Sequence, residues 1–185
     1  MIVLKVGGAS TGGVAAAIAA FDEPVCVVHG AGPQISEEME RRGLDVVFVG
    51  GRRVTTAAGL EAEQLPELGL VGRPLPCAPA AVLEALAAGR IPVVSPLARG
   101  PLNVNADEMA SALAVGIGAT RISFLTDVPG VYRDGELVHS IDAHGAQTLV
   151  DGGVFDGGIV PKLLAAALAA RNGVAADIGV TAVVA

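Results

Sequence analysis

The chain has 185 residues, 52% of them hydrophobic, which is enough for one domain with a well-filled core. A net charge of −7 and no tryptophan argue against nucleic-acid binding, base stacking and a basic membrane face, yet leave room for an anionic substrate held by local cations. No signal peptide is visible and no apolar run is long enough to span a bilayer, so the expectation is a soluble, cytoplasmic protein.

In chain order, Ile2 to Val6 is predicted as a buried strand with Lys5 set into it. A lysine there needs a partner, because an unpaired buried ammonium is costly. Gly7 and Gly8 follow, and their backbone can approach a ligand closely. Gly7 to Gly13 is predicted as a loop, Val14 to Ala20 as a helix and Pro24 to Val28 as the second strand. His29-Gly-Ala-Gly32 then forms a second glycine turn before a polar helix, Gln34 to Arg42. A glycine turn between strand and helix is either simple turn geometry or a phosphate cradle, and Gly30 and Gly32 are the candidates. Cys26 and the distant Cys77 form no CxxC pair and read as small buried thiols in a reducing compartment.

Val46 to Val49 and Val54 to Thr55 flank a predicted hairpin with Arg52 and Arg53 at its tip. Arg52 fits a solvated turn; Arg53 is either the same or a fork for a carboxylate. Thr56 to Pro79 reads as loop or short helical turns. Ala80 to Ala88 is a helix and Ile91 to Ser95 a strand. Asn103-Val-Asn-Ala-Asp107 precedes a helix ending near Gly116, and its polar groups are either caps or cleft-facing ligands. Arg121 to Leu125 is a strand, and Thr126-Asp-Val-Pro-Gly-Val-Tyr132 is a turn leaving its carboxyl end. Glu136 to Ile141 reads as a hairpin and Ala143 to Val150 as a helix. Gly157-Gly-Ile-Val-Pro-Lys162 opens the last long helix, with Pro161 in its first turn. Val174 to Ile178 and Val180 to Val184 close the chain as strands. Alternating strands and helices predict a mostly parallel sheet covered on both faces.

The chain has only two lysines, Lys5 and Lys162, against ten arginines. Lys162 sits where its charge opposes the helix dipole, so local stability does not explain it. The two lysines read as two ends of one anion site. His139 and His144 read as surface residues and His29 as a strand-end residue near the cleft; the three lack metal-ligand spacing.

The segments KVGGAS at 5–10, HGAGPQIS at 29–36, VGGRRVTT at 49–56, GRIPVVSP at 89–96, LNVNADEMASALAVGIGA at 102–119, LTDVPGVY at 125–132 and GGIVPKLLAAALAA at 157–170 resemble the amino-acid kinase family, in its order. HGAGPQIS and GGRRVTT are similar to its acetylglutamate kinase branch. The resemblance implies a compact carbamate kinase-like α/β sandwich and one domain over 1–185. Residues 1–120 would lie mainly on the acyl-substrate side and 121–185 on the nucleotide side. It also implies transfer of a phosphoryl group from ATP, with Mg2+, to the side-chain carboxylate of N-acetyl-L-glutamate in arginine biosynthesis. Lys5 and Lys162 would grip the transferring group and Asp107 would hold both lysines. Gly7, Gly8, Gly30 and Gly32 would line the phosphates, and Arg53 and Asn103 the substrate. Thr126, Asp127, Gly130, Val131, Tyr132 and Gly158 would lie along ATP. A homodimer is a further expectation.

The chain also departs from that pattern. Ala31 stands where a glycine is common. Most of a helix and strand after Thr56, and a segment between Ile178 and Thr181, are missing. The chain opens directly on its first strand, which implies no arginine feedback through an N-terminal helix. Two other readings stay open: a kinase for a different or carrier-bound carboxylate, and a non-catalytic module that keeps the fold.

Overall fold

The computed structural model describes residues 1–7, 14–30, 48–49, 52–53, 62–98 and 102–185, with 48–49 and 52–53 by backbone alone. Of the loop expected over Gly7 to Gly13 all but Gly7, the helix expected at 34–42 and the glycines Gly8 and Gly32 lie outside these residues.

The elements in order are β1 (Ile2–Val6), α1 (Val14–Ala19), β2 (Val25–His29), β3 (Phe48–Val49), β4 (Arg52–Arg53), β5 (Glu63–Gln64), β6 (Val71–Arg73), α2 (Ala80–Ala87), β7 (Val93–Val94), β8 (Leu97–Ala98), β9 (Leu102–Val104), α3 (Ala106–Gly116), β10 (Arg121–Phe124), β11 (Tyr132–Arg133), β12 (Glu136–Leu137), β13 (Ser140–Asp142), α4 (Ala146–Asp151), α5 (Ile159–Arg171), β14 (Ala175–Ile178) and β15 (Thr181–Val184). The main sheet runs β13-β15-β14-β10-β1-β2-β7. All its neighbours are parallel except β14 and β15, which form an antiparallel hairpin.

β1 lies between β10 and β2, so the order reverses there. In open α/β sheets such a switch point opens a crevice at the carboxyl ends of the strands. The sheet sorts its residues by strand alternation. Val3, Cys26, Val28, Ile122, Phe124, Ala176 and Ile178 join the larger core beneath α3 and α5. Leu4, Val6, Val25 and Val27 face the other way, against Val14, Ile18 and Phe21 of the α1 region. Helices therefore cover both faces, and Lys5 shares the α3–α5 face with Val3 by alternation.

α3 and α5 pack side by side with alanines between them: Ala110 and Ala114 on one, Ala165, Ala166 and Ala169 on the other, all buried. The Ser111 hydroxyl donates to the Ala165 carbonyl at 2.8 Å. Both helices begin at the carboxyl edge of the sheet, so this contact sits one turn below Asp107 and Lys162.

Several elements differ from the sequence reading. Thr56 to Pro79 is not all loop: β5 and β6 join β9 and β8 in a second, four-stranded sheet. β6 is too short to show a period, but it buries Val71 fully and pairs with Asn103. Arg52 and Arg53 are not at a hairpin tip. They form its second strand, opposite Val49 and Phe48. The predicted hairpin at 136–141 lies earlier, pairing β11 with β12. Asp134 and Gly135 both take positive φ, the geometry of a two-residue hairpin turn, and this Asp-Gly signal sets the register. β13 instead joins the main sheet beside β15. The following helix starts at Ala146, not Ala143, because the Asp142 carboxylate accepts from the Gly145 N–H at 2.7 Å and holds the preceding turn. Ile91 to Ser95 contracts to Val93–Val94 between Pro92 and Pro96. Cys26 is buried, and burial pushes its thiol up to about 11. Cys77 is exposed, against expectation, on the Pro-rich stretch before α2, and both thiols are free. Among the described residues no helix is long and apolar enough to cross a membrane.

Candidate active site

The site forms where three elements meet. β1 brings Lys5 to the carboxyl edge of the sheet, α3 brings Asp107 in its first turn and α5 brings Lys162 in its first turn. Lys5 Nζ lies 2.7 Å from Asp107 Oδ1, and Lys162 Nζ lies 3.0 Å from the same oxygen. The side chains of Lys5, Asp107 and Lys162 are only 7%, 9% and 12% exposed. One carboxylate thus holds two ammonium groups, and the cluster carries a net positive charge in a poorly solvated place. Burial, which outweighs attraction to Asp107, holds the Lys5 ammonium below its usual range, and the Lys162 charge pushes the same way.

Local sequence explains the placement. Asn105 caps α3: its Oδ1 accepts from the N–H groups of Asp107 at 2.8 Å and Glu108 at 3.2 Å. The cap fixes the first turn and with it the direction of Asp107. Of the two readings of this stretch, Asn105 takes the cap and Asp107 the cleft. Lys162 rests over the ring of Phe124, 5.7 Å from its centroid, a cation–π contact on the floor of the site. Phe124 was not singled out in the sequence. The available signal was its place beside the Thr126 turn, in a chain with only four phenylalanines.

The other candidates lie as follows. His29 ends β2, while His139 and His144 are exposed. Gly7 directly follows β1. The N–H of Gly30 does not face the cleft; it donates to the Val6 carbonyl at 2.9 Å and extends the β1–β2 ladder. Asn103 is half-buried on β9 and pairs with Val71 and Leu97. Arg53 lies on β4, and its side chain is outside the described residues. Thr126 and the exposed Asp127 leave the carboxyl end of β10, with Thr126 Oγ1 3.3 Å from Asp127 Oδ1. Gly130 and Val131 are buried, and Tyr132 is exposed. Gly158 is exposed just before α5, and a Cβ built there meets nothing within 4 Å.

A groove of about 440 Å³ lies elsewhere, lined by Leu4, Phe21, Arg121, Ser123, Asp177 and Val180 among others. Leu4 and Lys5 point to opposite faces of the sheet, so this groove is not the lysine site. Among the described residues no three His, Cys, Asp or Glu side chains are grouped to hold a metal ion.

Residues 1–180 match the model of the amino acid kinase family. The chain belongs to that family. It is 37% identical to the acetylglutamate kinase of Rubrobacter xylanophilus, over 96% of this chain and 87% of that one. It is 34% identical to the acetylglutamate kinase of Thermus thermophilus, over 93% of this chain and 87% of that one. The first of these alignments spans 222 residues, more than the 185 of the chain, so the excess positions face gaps in this member of the family. In fold it resembles smu.665 from Streptococcus mutans, with a TM-score of 0.88 at 24% identity, covering 99% of this chain and 98% of that one. It also resembles Giardia carbamate kinase, with a TM-score of 0.68 at 14% identity, covering 100% of this chain and 98% of that one.

Proposed function

We propose that this chain transfers the γ-phosphoryl group of ATP to the side-chain carboxylate of N-acetyl-L-glutamate, giving an acyl phosphate and ADP. The observation that carries the reading is the pair of ammonium groups held on Asp107. A carboxylate is already ionised near neutral pH, so the nucleophile needs no general base. The described site fits that economy: the Asp107 carboxylate is tied to two lysines. What the reaction does need is to bring two anions together and to stabilise charge on the transferring group. Lys5 and Lys162 would do this from two directions. A carboxylate oxygen forms the new bond to phosphorus, the bond from phosphorus to the bridging oxygen breaks, and ADP leaves with the electron pair.

Asp107 keeps the two cations close despite their repulsion, and the N-terminus of α3 adds partial positive charge beside them. The donor set suits phosphate oxygens. Magnesium arriving with the nucleotide would neutralise phosphate charge. Gly7, Gly8 and Gly32 remain the backbone candidates for the phosphates. Arg53 and Asn103 would take the substrate's second carboxylate and amide. Thr126, Asp127, Gly130, Val131, Tyr132 and Gly158 would take the nucleotide. On this reading 1–120 is mainly the acyl-substrate side and 121–185 mainly the nucleotide side of one domain. On this reading the chain is a cytoplasmic enzyme of arginine biosynthesis and works as a homodimer. An apolar edge supports the dimer: Ile91, Val93 and Leu97 at the β7 end of the sheet are 49%, 66% and 54% exposed.

The test is ADP release with Mg-ATP and N-acetyl-L-glutamate, with hydroxylamine present to trap the acyl phosphate, for the parent and Lys162→Ala. Turnover in the parent, lost in the variant, is expected. ATP binding without turnover would move the acceptor to another carboxylate. No ATP binding would overturn the kinase reading.

A further inference from the structure

We infer that Thr181 is a positioning residue for the nucleotide. Its hydroxyl is spliced into the base of the β11–β12 hairpin and fixes the turn that leads there from β10. The inference rests on reading residues 126–132 as the nucleotide turn.

The register of β11 and β12 pairs Tyr132 with Leu137 and Arg133 with Glu136, which sets Val131 opposite Val138. Such a pair can exchange two ladder bonds. Here one is direct: the Val138 N–H donates to the Val131 carbonyl at 2.8 Å. The other is relayed. The Val131 N–H donates to Thr181 Oγ1 at 2.9 Å, and that hydroxyl donates to the Val138 carbonyl at 2.6 Å. One side chain therefore holds both ends of the segment 131–138. Thr181 is fully buried, so water does not stand in for its hydroxyl.

The rest of the turn is pinned to the same place. Only Gly179 and Val180 join β14 to β15. The Val180 N–H donates to the Pro129 carbonyl at 2.8 Å, and the Gly179 N–H donates to the Phe124 carbonyl at 3.1 Å. Packing leaves no slack: a Cβ on Gly130 would lie 2.6 Å from Thr181 Oγ1, and one on Gly179, where φ is +57°, would lie 2.1 Å from the Pro129 oxygen. Thr181 touches no reacting atom. It acts through Gly130 and Val131, two residues of the turn itself. A lone threonine in a closing apolar strand gives little sign of this in the sequence.

The test compares Thr181→Val, which keeps the shape and removes the hydroxyl, with Thr181→Ser, which keeps the hydroxyl. Equilibrium binding of ATP and the KM for each substrate are measured. Thr181→Val should weaken ATP binding roughly tenfold, the order expected when a buried donor loses its partner, and leave the KM for N-acetyl-L-glutamate unchanged. Thr181→Ser should restore parent values. A folded Thr181→Val with parent ATP affinity, or a serine variant as impaired as the valine one, overturns the inference. Asp127→Ala and Tyr132→Ala separate the two readings. If both leave ATP binding intact, the nucleotide turn is misassigned and the inference falls with it. If they weaken ATP binding and Thr181→Val does not, the inference alone fails. Should Thr181→Val not fold, amide exchange on the parent chain decides. Val131 should exchange slowly and more slowly still with Mg-ATP; fast exchange there, or slow exchange that Mg-ATP leaves unchanged, overturns the inference.

Discussion

Replacing Asp107 by Asn should destabilise the protein far more than replacing either lysine by Met. The two contacts, 2.7 and 3.0 Å, are each worth about 6 kcal/mol of attraction at an effective dielectric of about 20. Both ammonium nitrogens touch one oxygen, so they can be no further apart than the sum of those distances, and they repel by about 3 kcal/mol or more. Desolvation of three buried ions offsets much of what remains. Asp107→Asn removes both attractions and leaves two buried cations facing each other, a loss of about 3–5 kcal/mol by analogy with broken buried pairs. Lys5→Met or Lys162→Met removes one attraction but also the repulsion and one desolvation cost, so each should fall within about 1 kcal/mol of the parent. Asp107→Asn combined with Lys5→Met should recover most of the loss. Urea unfolding with a constant slope reads these differences directly. Activity should vanish in all four proteins, so stability and catalysis separate. A lysine variant as unstable as Asp107→Asn would refute the picture of one carboxylate restraining two opposed cations.

Other outcomes follow from single residues. The Lys5 ammonium is held below 10.5, chiefly by burial, so kcat/KM should fall along an alkaline limb centred below 10.5. A limb unchanged in an active Lys5→Arg variant would assign it to another group. The same lowered value means the unfolded chain binds more protons than the folded one between the folded value and 10.5. Parent stability should therefore rise with pH across that window relative to Lys5→Met, and a flat difference in thermal midpoints would count against it. Gly116→Ala should destabilise by about 1–3 kcal/mol, because its Cβ would meet the Cys77 backbone at 2.1 Å. Gly158→Ala, in open space with φ of −70°, should leave the melting temperature unchanged yet raise the KM for ATP. Asp177 is held above its usual range, mainly by burial and against the pull of Ser123 and Arg121. It stabilises the fold fully only below 3.8, and that contribution is lost as pH rises through its folded value. Asp177→Asn should thus gain on the parent at neutral pH and lose the gain in acid, with thermal midpoints as the readout.

The parts legible in the sequence are those carried by strong local signals. The β1 strand announced itself by an apolar run, and the helices after Asn105 and Gly158 by an apolar run with a cap or a proline. The rarity of lysine singled out Lys5 and Lys162, and the structure places both on Asp107. The parts that were not legible depend on partners far along the chain. β6 lies between β5 and β9, and its pairing of Val71 with Asn103 reaches 32 residues along the chain. Gly30 looked like a cradle donor, but its N–H is taken by Val6, which local sequence cannot show. Thr181 acquires its role from Val131 and Val138, more than 40 residues earlier. The family resemblance carried the substrate assignment, which spacing and burial alone do not reach.

The two faces of the main sheet are held by different means. On β10, β14 and β15, alternation sends Ile122, Phe124, Ala176, Ile178 and Val183 into the core under α3 and α5. The opposite face carries Arg121, Ser123, Asp177, Ala182 and Val184, and on that side the described helical cover is α1, over β1 and β2. Polar groups on a partly buried sheet face need to satisfy one another. Asp177 accepts from Ser123 Oγ at 3.0 Å and pairs with Arg121 Nε at 3.0 Å across neighbouring parallel strands. This part of the face is therefore tied together by paired polar side chains as well as by apolar packing. The lysines, Asp107 and Phe124 all lie on the face beneath α3 and α5, where the Ser111 hydroxyl ties the two helices together at the Ala165 carbonyl.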